Sequence, residues 1–133
     1  IITAINYIRQ PEGSHLCGQA CVAMLTDKSL EEAIAAVGTK GRTSLNGNIR
    51  RSLERAGIKL GDYVRLYKNS ALPDFCLIRM RYPNQIGKRT SHLIIHHKGT
   101  VYDPAKGVYT LREFREAFPG VKFNNCLIIL EPD

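Results

Sequence analysis

Cys17, His92 and Asp103 are residue types that together can carry out nucleophilic attack on a carbonyl. A thiol attacks only as the thiolate, and an unperturbed Cys, with a pKa of about 8.5, is mostly protonated at neutral pH. Two things can lower that value: the partial positive charge and free N–H groups of a helix N-terminus, and an imidazole that shares the proton as a thiolate–imidazolium pair. Ala20, Cys21, Met24 and Leu25 recur at helical spacing across residues 18–25, which predicts a helix that starts near Cys17 and buries one face. The thiol then sits at the N-terminus of that helix, and the imidazole must come from elsewhere in the chain.

Residues 92–97 and 100–103 flank Lys98-Gly99 and read as a hairpin with a tight turn. With two loop residues, His97 pairs with Thr100, His96 with Val101, Ile95 with Tyr102 and Ile94 with Asp103. That register makes His92 and Asp103 diagonal neighbours on one face, where the carboxylate can fix the ring's tautomer and orientation. His96 shares the face of His92 and is the alternative base, whereas His97 points the other way.

Taken singly, each residue has a plainer reading: a buried structural thiol, a hydrogen-bonded strand histidine, a turn aspartate before Pro104. Only the combination points to catalysis. A zinc site built on Cys17, Cys21 and His15 lacks the usual ligand spacing and a matching second half, so no metal or other cofactor is expected.

The elements that must position these groups fit one domain spanning residues 1–133. The chain has 44% hydrophobic and 23% charged residues, enough for a core and unlike a disordered sequence. No apolar run approaches the roughly 20 residues a membrane helix needs. Ser29-Leu30-Glu31-Glu32 is a capping-box pattern for a second helix ending at Gly38. A third helix is predicted over residues 45–56, with Ile49, Leu53 and Ala56 on one face and Gly57 as its stop. Cys76, Ile78 and Met80 alternate with Leu77, Arg79 and Arg81, as in a strand with one buried face. Thr110 and Glu113 cap a short helix through Phe118, and residues 121–130 make a last apolar strand. The fold class is α+β: a helical part carrying Cys17, packed against an antiparallel sheet carrying His92 and Asp103.

The 19 Lys and Arg outnumber the 12 Asp and Glu, for a net charge of +7, which suits an acidic partner or substrate. Arg50, Arg51, Arg55 and Lys59, with Arg79, Arg81, Lys88 and Arg89, read as a solvated face or a site for an acidic protein. Nucleic acid is disfavoured because no aromatic interleaving accompanies them. The four cysteines, Cys17, Cys21, Cys76 and Cys126, are expected to be reduced, which points to action in a reducing cytoplasm. The start Ile1-Ile2-Thr3, with neither Met nor a secretory signal, suggests a domain excised from a longer protein.

Residues 10–25, Gln-Pro-Glu-Gly-Ser-His-Leu-Cys-Gly-Gln-Ala-Cys-Val-Ala-Met-Leu, resemble the nucleophile region of the papain-like bacterial peptidases that process double-glycine leader peptides. Ser91-His92-Leu93-Ile94-Ile95 and Val101-Tyr102-Asp103-Pro104-Ala105-Lys106-Gly107 are similar to that family's His strand and Asp-Pro element. The order agrees, with 75 residues from Cys17 to His92 and 11 from His92 to Asp103. The resemblance implies a papain-like fold, Cys17 as nucleophile, His92 as general base and acid, Asp103 as its orienter, and Gln10 as an oxyanion donor beside the Cys17 amide. The family usually has one residue fewer between Gln and Cys, and often an acidic residue where this chain has Leu16. Gln19 is therefore the second candidate for the oxyanion role.

The expected function is that of a cysteine endopeptidase acting on a protein or peptide. Transfer to an amine, or hydrolysis of a side-chain amide, uses the same parts. The other class is a non-catalytic module that grips an acidic protein or nucleic acid through its Arg-rich face. Because no transporter helices follow, the domain is also similar to the C-terminal warheads of secreted bacterial polymorphic toxins, which would bring an immunity protein as partner.

Overall fold

The computed structural model describes residues 4–131, so the first three and last two residues of the predicted domain lie outside the described part. In chain order the elements are α1 (Cys17–Thr26), α2 (Leu30–Val37), a π-helical turn (Leu45–Ile49) running into α3 (Arg50–Arg55), β1 (Leu60–Arg65), β2 (Phe75–Arg81), a 3-10 turn (Pro83–Gln85), β3 (His92–His97), β4 (Thr100–Asp103), β5 (Gly107–Thr110), α4 (Leu111–Ala117) and β6 (Lys122–Ile129). The six strands form one antiparallel sheet in the order β1-β6-β2-β3-β4-β5. The α+β class is as the sequence predicts. Among the described residues, no helix is long and apolar enough to cross a membrane.

Side chains alternate across a strand, so the sheet presents two faces. Phe75 and Leu77 of β2, Leu93 and Ile95 of β3, and Leu127 and Ile129 of β6 pack under α1, α2 and α3. Cys76, Ile78 and Met80, with Ile94, Val101 and Cys126, face the other way and are covered by Phe114 of α4. The sheet is therefore buried on both sides, and the prediction that β2 has one buried face is corrected: Leu77 is as buried as Ile78. Of the predicted exposed face, only Arg79 and Arg81 are partly open to solvent.

Helix α1 departs from expectation in the same direction. Every residue from Gly18 to Leu25 is buried, because α1 lies between the sheet and the other two helices of its layer. Small residues allow this: a Cβ on Gly18 would sit on the Thr43 side chain and press on Ile49 Cδ1. The predicted continuous helix over residues 45–56 is broken, since Gly47 takes a non-helical backbone (φ −115°, ψ −108°) and only Arg50–Arg55 is regular α-helix.

Both capping boxes form. Ser29 Oγ accepts from the Glu32 amide at 3.1 Å while Glu32 accepts from the Ser29 amide at 3.0 Å, and Thr110 and Glu113 repeat the exchange at α4. The hairpin register is the predicted one, with Ile95 opposite Tyr102, His96 opposite Val101 and His97 opposite Thr100. Lys98 (φ 47°) and Gly99 (φ 84°) both adopt positive φ, as a type I′ turn matching strand twist requires.

Candidate active site

Cys17 is the first residue of α1, where the chain turns into the helix without a side-chain cap. The first amide with an intrahelical partner is that of Ala20, which donates to Leu16 O at 2.9 Å. The N–H groups of Cys17, Gly18 and Gln19 thus belong to the unsatisfied, positive end of the helix. One turn on, the buried Cys21 thiol donates to Leu93 O at 3.6 Å. That contact ties α1 to β3 beside His92, and burial pushes the Cys21 thiol pKa far up, which keeps it a proton donor.

His92 opens β3 and is buried, as is Asp103 at the end of β4. His92 Nε2 lies 2.7 Å from Asp103 Oδ1, the diagonal contact expected from the hairpin register. With Nε2 engaged there, Nδ1 is the nitrogen left for the cleft that Cys17 also lines. Burial by itself would raise the Cys17 pKa. The hydrogen bond and charge of His92, helped by the main chain of Leu93 and Gly18, outweigh burial and hold the thiol below its ordinary value. Burial pulls the imidazole the other way, and the Asp103 and Cys17 contacts overcome it to raise His92 to about 9. Thiol down and imidazole up is the signature of a thiolate–imidazolium pair.

Asp103 is held more firmly than the sequence suggested. Oδ1 also accepts the Ala105 amide at 2.9 Å, an Asx turn, and Oδ2 accepts the Tyr82 hydroxyl at 2.5 Å. The Tyr82 ring packs against His92 with centroids 5.2 Å apart. Burial, then the charge of Asp103, raise the phenol pKa, so Tyr82 stays protonated and donates. Tyr7 donates its hydroxyl to Asp103 O at 2.5 Å. Both tyrosines were missed, because contacts made 21 and 96 residues away in sequence leave no local pattern.

Gln10 lines the same cleft as Cys17 and His92. Its amide nitrogen donates to Ser14 O at 3.1 Å and lies 3.4 Å from Ser14 Oγ. Its backbone N–H donates to Pro104 O at 2.9 Å, so the segment before α1 is stitched to the turn that follows Asp103. Gln19 is a different matter. It is fully buried, and Nε2 spends both hydrogens on the Thr39 and Gly41 carbonyls, at 2.8 and 3.0 Å. The candidacy of Gln19 for the oxyanion role is thereby corrected: it latches the loop after α2.

The alternative base is also corrected. His96 Nδ1 donates to Pro73 O, in the loop before β2, at 2.9 Å and Nε2 accepts the Gly99 N–H at 3.2 Å, so both ring nitrogens are spent on main-chain groups. Burial lowers its pKa, in keeping with a neutral ring. His97 faces away and meets Glu131 at 2.7 Å. His15 is exposed at the cleft rim, and the described residues hold no cluster of three or more His, Cys, Asp or Glu side chains suited to a metal. All four cysteines are free; Cys76 and Cys126 lie in the second core, where the Cys76 thiol donates to Pro73 O at 3.8 Å.

Several of the basic residues have local partners. Arg50 binds Asn46 and the Gly61 carbonyl. Arg81 holds the loop between β2 and β3 through the Lys88 and Thr90 carbonyls. Arg79 and Arg89 instead line the cleft of about 530 Å³ in front of Cys17 and His92, together with Arg42. In comparison with known proteins, the chain matches no protein-family model and no curated protein.

Proposed function

We propose that this chain is a papain-like cysteine endopeptidase in which Cys17, His92 and Asp103 form the triad. The observation that carries the reading is the geometry around His92: Nε2 is bound at 2.7 Å to a buried carboxylate, and the ring lines the same cleft as a thiol at a helix N-terminus. A structural histidine on a strand needs neither. The Cys17 thiolate adds to the carbonyl carbon of a peptide bond, and the oxygen takes up negative charge. The Cys17 N–H receives that oxyanion, joined by the second, weakly held N–H of Gln10. His92 gives its Nδ1 proton to the leaving amine as the C–N bond breaks, leaving a thioester. It then takes a proton from water, whose oxygen attacks the thioester, and the thiol is released.

Throughout, Asp103 keeps the Nε2–H tautomer and offsets the imidazolium charge. Tyr82 and the Ala105 amide hold Asp103 still, so the ring is oriented before substrate arrives.

The test compares wild type with Cys17→Ala. Each is incubated with a denatured protein mixture, and new N-termini are identified by mass spectrometry. New N-termini with wild type alone support peptide hydrolysis. A wild type whose Cys17 alkylates rapidly at pH 7 but generates no new N-termini would refute it and leave transfer or side-chain amide hydrolysis.

A further inference from the structure

The cleft has a charge character that the triad does not require. Arg42, Arg79 and Arg89 line it, and no Asp or Glu does. None of the three arginines has a carboxylate within ion-pair distance among the described residues. Arg42 and Arg89 are exposed and solvated, but Arg79 is half-buried. It sits in β2 opposite Leu93, one register step from the pair formed by Met80 and His92, and it alternates with Met80 onto the face covered by α1. Its partners are neutral: Nε donates to Ser91 Oγ at 3.2 Å and Nη1 to Asn125 Oδ1 at 3.5 Å. Nη2 has no protein partner among the described residues.

A half-buried guanidinium has lost part of its water shell without gaining a counter-ion. Its planar fork matches a carboxylate, and a charge-assisted pair there is stronger than the neutral contacts it now makes. The geometry points to Arg79 as a specificity residue that binds an Asp or Glu side chain of the substrate near the scissile bond, so that the preferred substrates are acidic peptides. This assignment rests on the peptidase reading of the same cleft. The Ser91 and Asn125 contacts aim the guanidinium, while Arg42 and Arg89 at the rim draw the anion in.

The experiment uses the thiol as a charge sensor. Cys17 is alkylated with iodoacetate, an anion, and with iodoacetamide, its neutral counterpart, at pH 7.5, and the two rates are resolved at Cys17 by mass spectrometry. The ratio of the rates is referred to that of Cys17 in the urea-unfolded chain. In the folded protein the ratio is expected to rise, and Arg79→Gln is expected to lower it by a few-fold, the effect of removing one charge from a partly aqueous cleft. Arg79→Lys should keep much of it. Arg112→Gln, on exposed α4 and paired only with Glu116, should leave it unchanged. Added NaCl reads the same field without any variant: the ratio should fall in the folded protein and not in the unfolded one. A ratio indifferent both to Arg79→Gln and to salt overturns the assignment, even if Cys17 reacts fast with both reagents and the peptidase reading survives. Slow reaction with both reagents sinks the peptidase reading instead. For peptides cleaved by wild type, replacing Glu with Gln near the cut should raise KM, and that penalty should vanish in Arg79→Gln.

Discussion

Replacing Asp103 by Asn removes one charge while keeping the shape and much of the hydrogen bonding. The amide oxygen can still accept from His92 Nε2 and the Ala105 N–H, and the Tyr82 hydroxyl can rotate to accept from the new NH2. What disappears is the charge that helps hold the His92 pKa at about 9 against burial, the largest influence on the ring. Without it the imidazole falls back to its ordinary 6.5 or below. A change of that size corresponds to about 3 kcal/mol between the two protonation states. At pH 7.5 nearly all His92 is charged in wild type, whereas about a tenth would be in Asp103→Asn. The thiolate–imidazolium pair is depleted in proportion, so iodoacetamide labelling of Cys17 at pH 7.5 should slow by about tenfold.

The pH profile of labelling carries the same information in its shape. Deprotonation of His92 leaves the thiolate in place, so the informative limb is the acidic one: the rise of labelling with pH should lie at higher pH in Asp103→Asn than in wild type, because a weaker imidazolium holds the Cys17 thiol down less. Stability follows the same sign. A pKa raised in the fold stabilises fully below the unfolded value of 6.5 and is lost as pH rises through about 9. The melting temperature of wild type should therefore exceed that of Asp103→Asn most at pH 6, and the gap should close by pH 9.5. A rise of labelling at the same pH in both proteins, together with an unchanged rate at pH 7.5, would refute the reasoning.

Tyr82→Phe keeps the ring packed on His92 but leaves the buried Asp103 Oδ2 short of a donor, so urea unfolding should report a loss of about 1–3 kcal/mol. Gln19→Leu leaves the Thr39 and Gly41 carbonyls without their donor and should cost about 2 kcal/mol of stability by the same assay. Cys17 labelling should persist in the molecules that remain folded, whereas a loss of activity without loss of stability would return Gln19 to the oxyanion hole. Gly18→Ala drives a methyl group onto the Thr43 side chain and against Ile49 at 3.0 Å, and should lower stability by about 1–3 kcal/mol in thermal unfolding.

The parts of the fold visible in the sequence are those fixed by local chemistry. Lys98-Gly99 can take the two positive φ values of a type I′ turn, which sets the hairpin register and with it the His92–Asp103 diagonal. Ser29 with Glu32, and Thr110 with Glu113, mark helix starts through reciprocal bonds spanning three residues. What stayed hidden depends on tertiary neighbours. Strands β1 and β5 were not anticipated: Leu60–Arg65 has only partial burial along its length, and Gly107–Thr110 is a four-residue edge strand. The helix expected over residues 45–56 follows its apolar spacing, but the chain bends at Gly47, where no side chain resists. In the site, Cys17, His92 and Asp103 were legible because two of them share a hairpin and the third opens a helix. Tyr82, Tyr7 and the unpaired state of Arg79 became visible only when strands distant in sequence were laid side by side.

Strand β6, the last in sequence among the described residues, lies between β1 and β2. Until residues 122–129 are available, β1 has no neighbour and β2 has only β3, with Leu77 and Ile78 lacking the Leu127 and Cys126 that face them across the sheet. During synthesis the hairpin bearing His92 and Asp103 can therefore form before the sheet beneath α1 is closed. Closure of the sheet waits on β6, a long-range pairing that slows folding and delays burial of the apolar faces until residues 122–129 have been made. A nick that released β6 would undo the same step, separating β1 from the rest of the sheet and opening both cores to water at once.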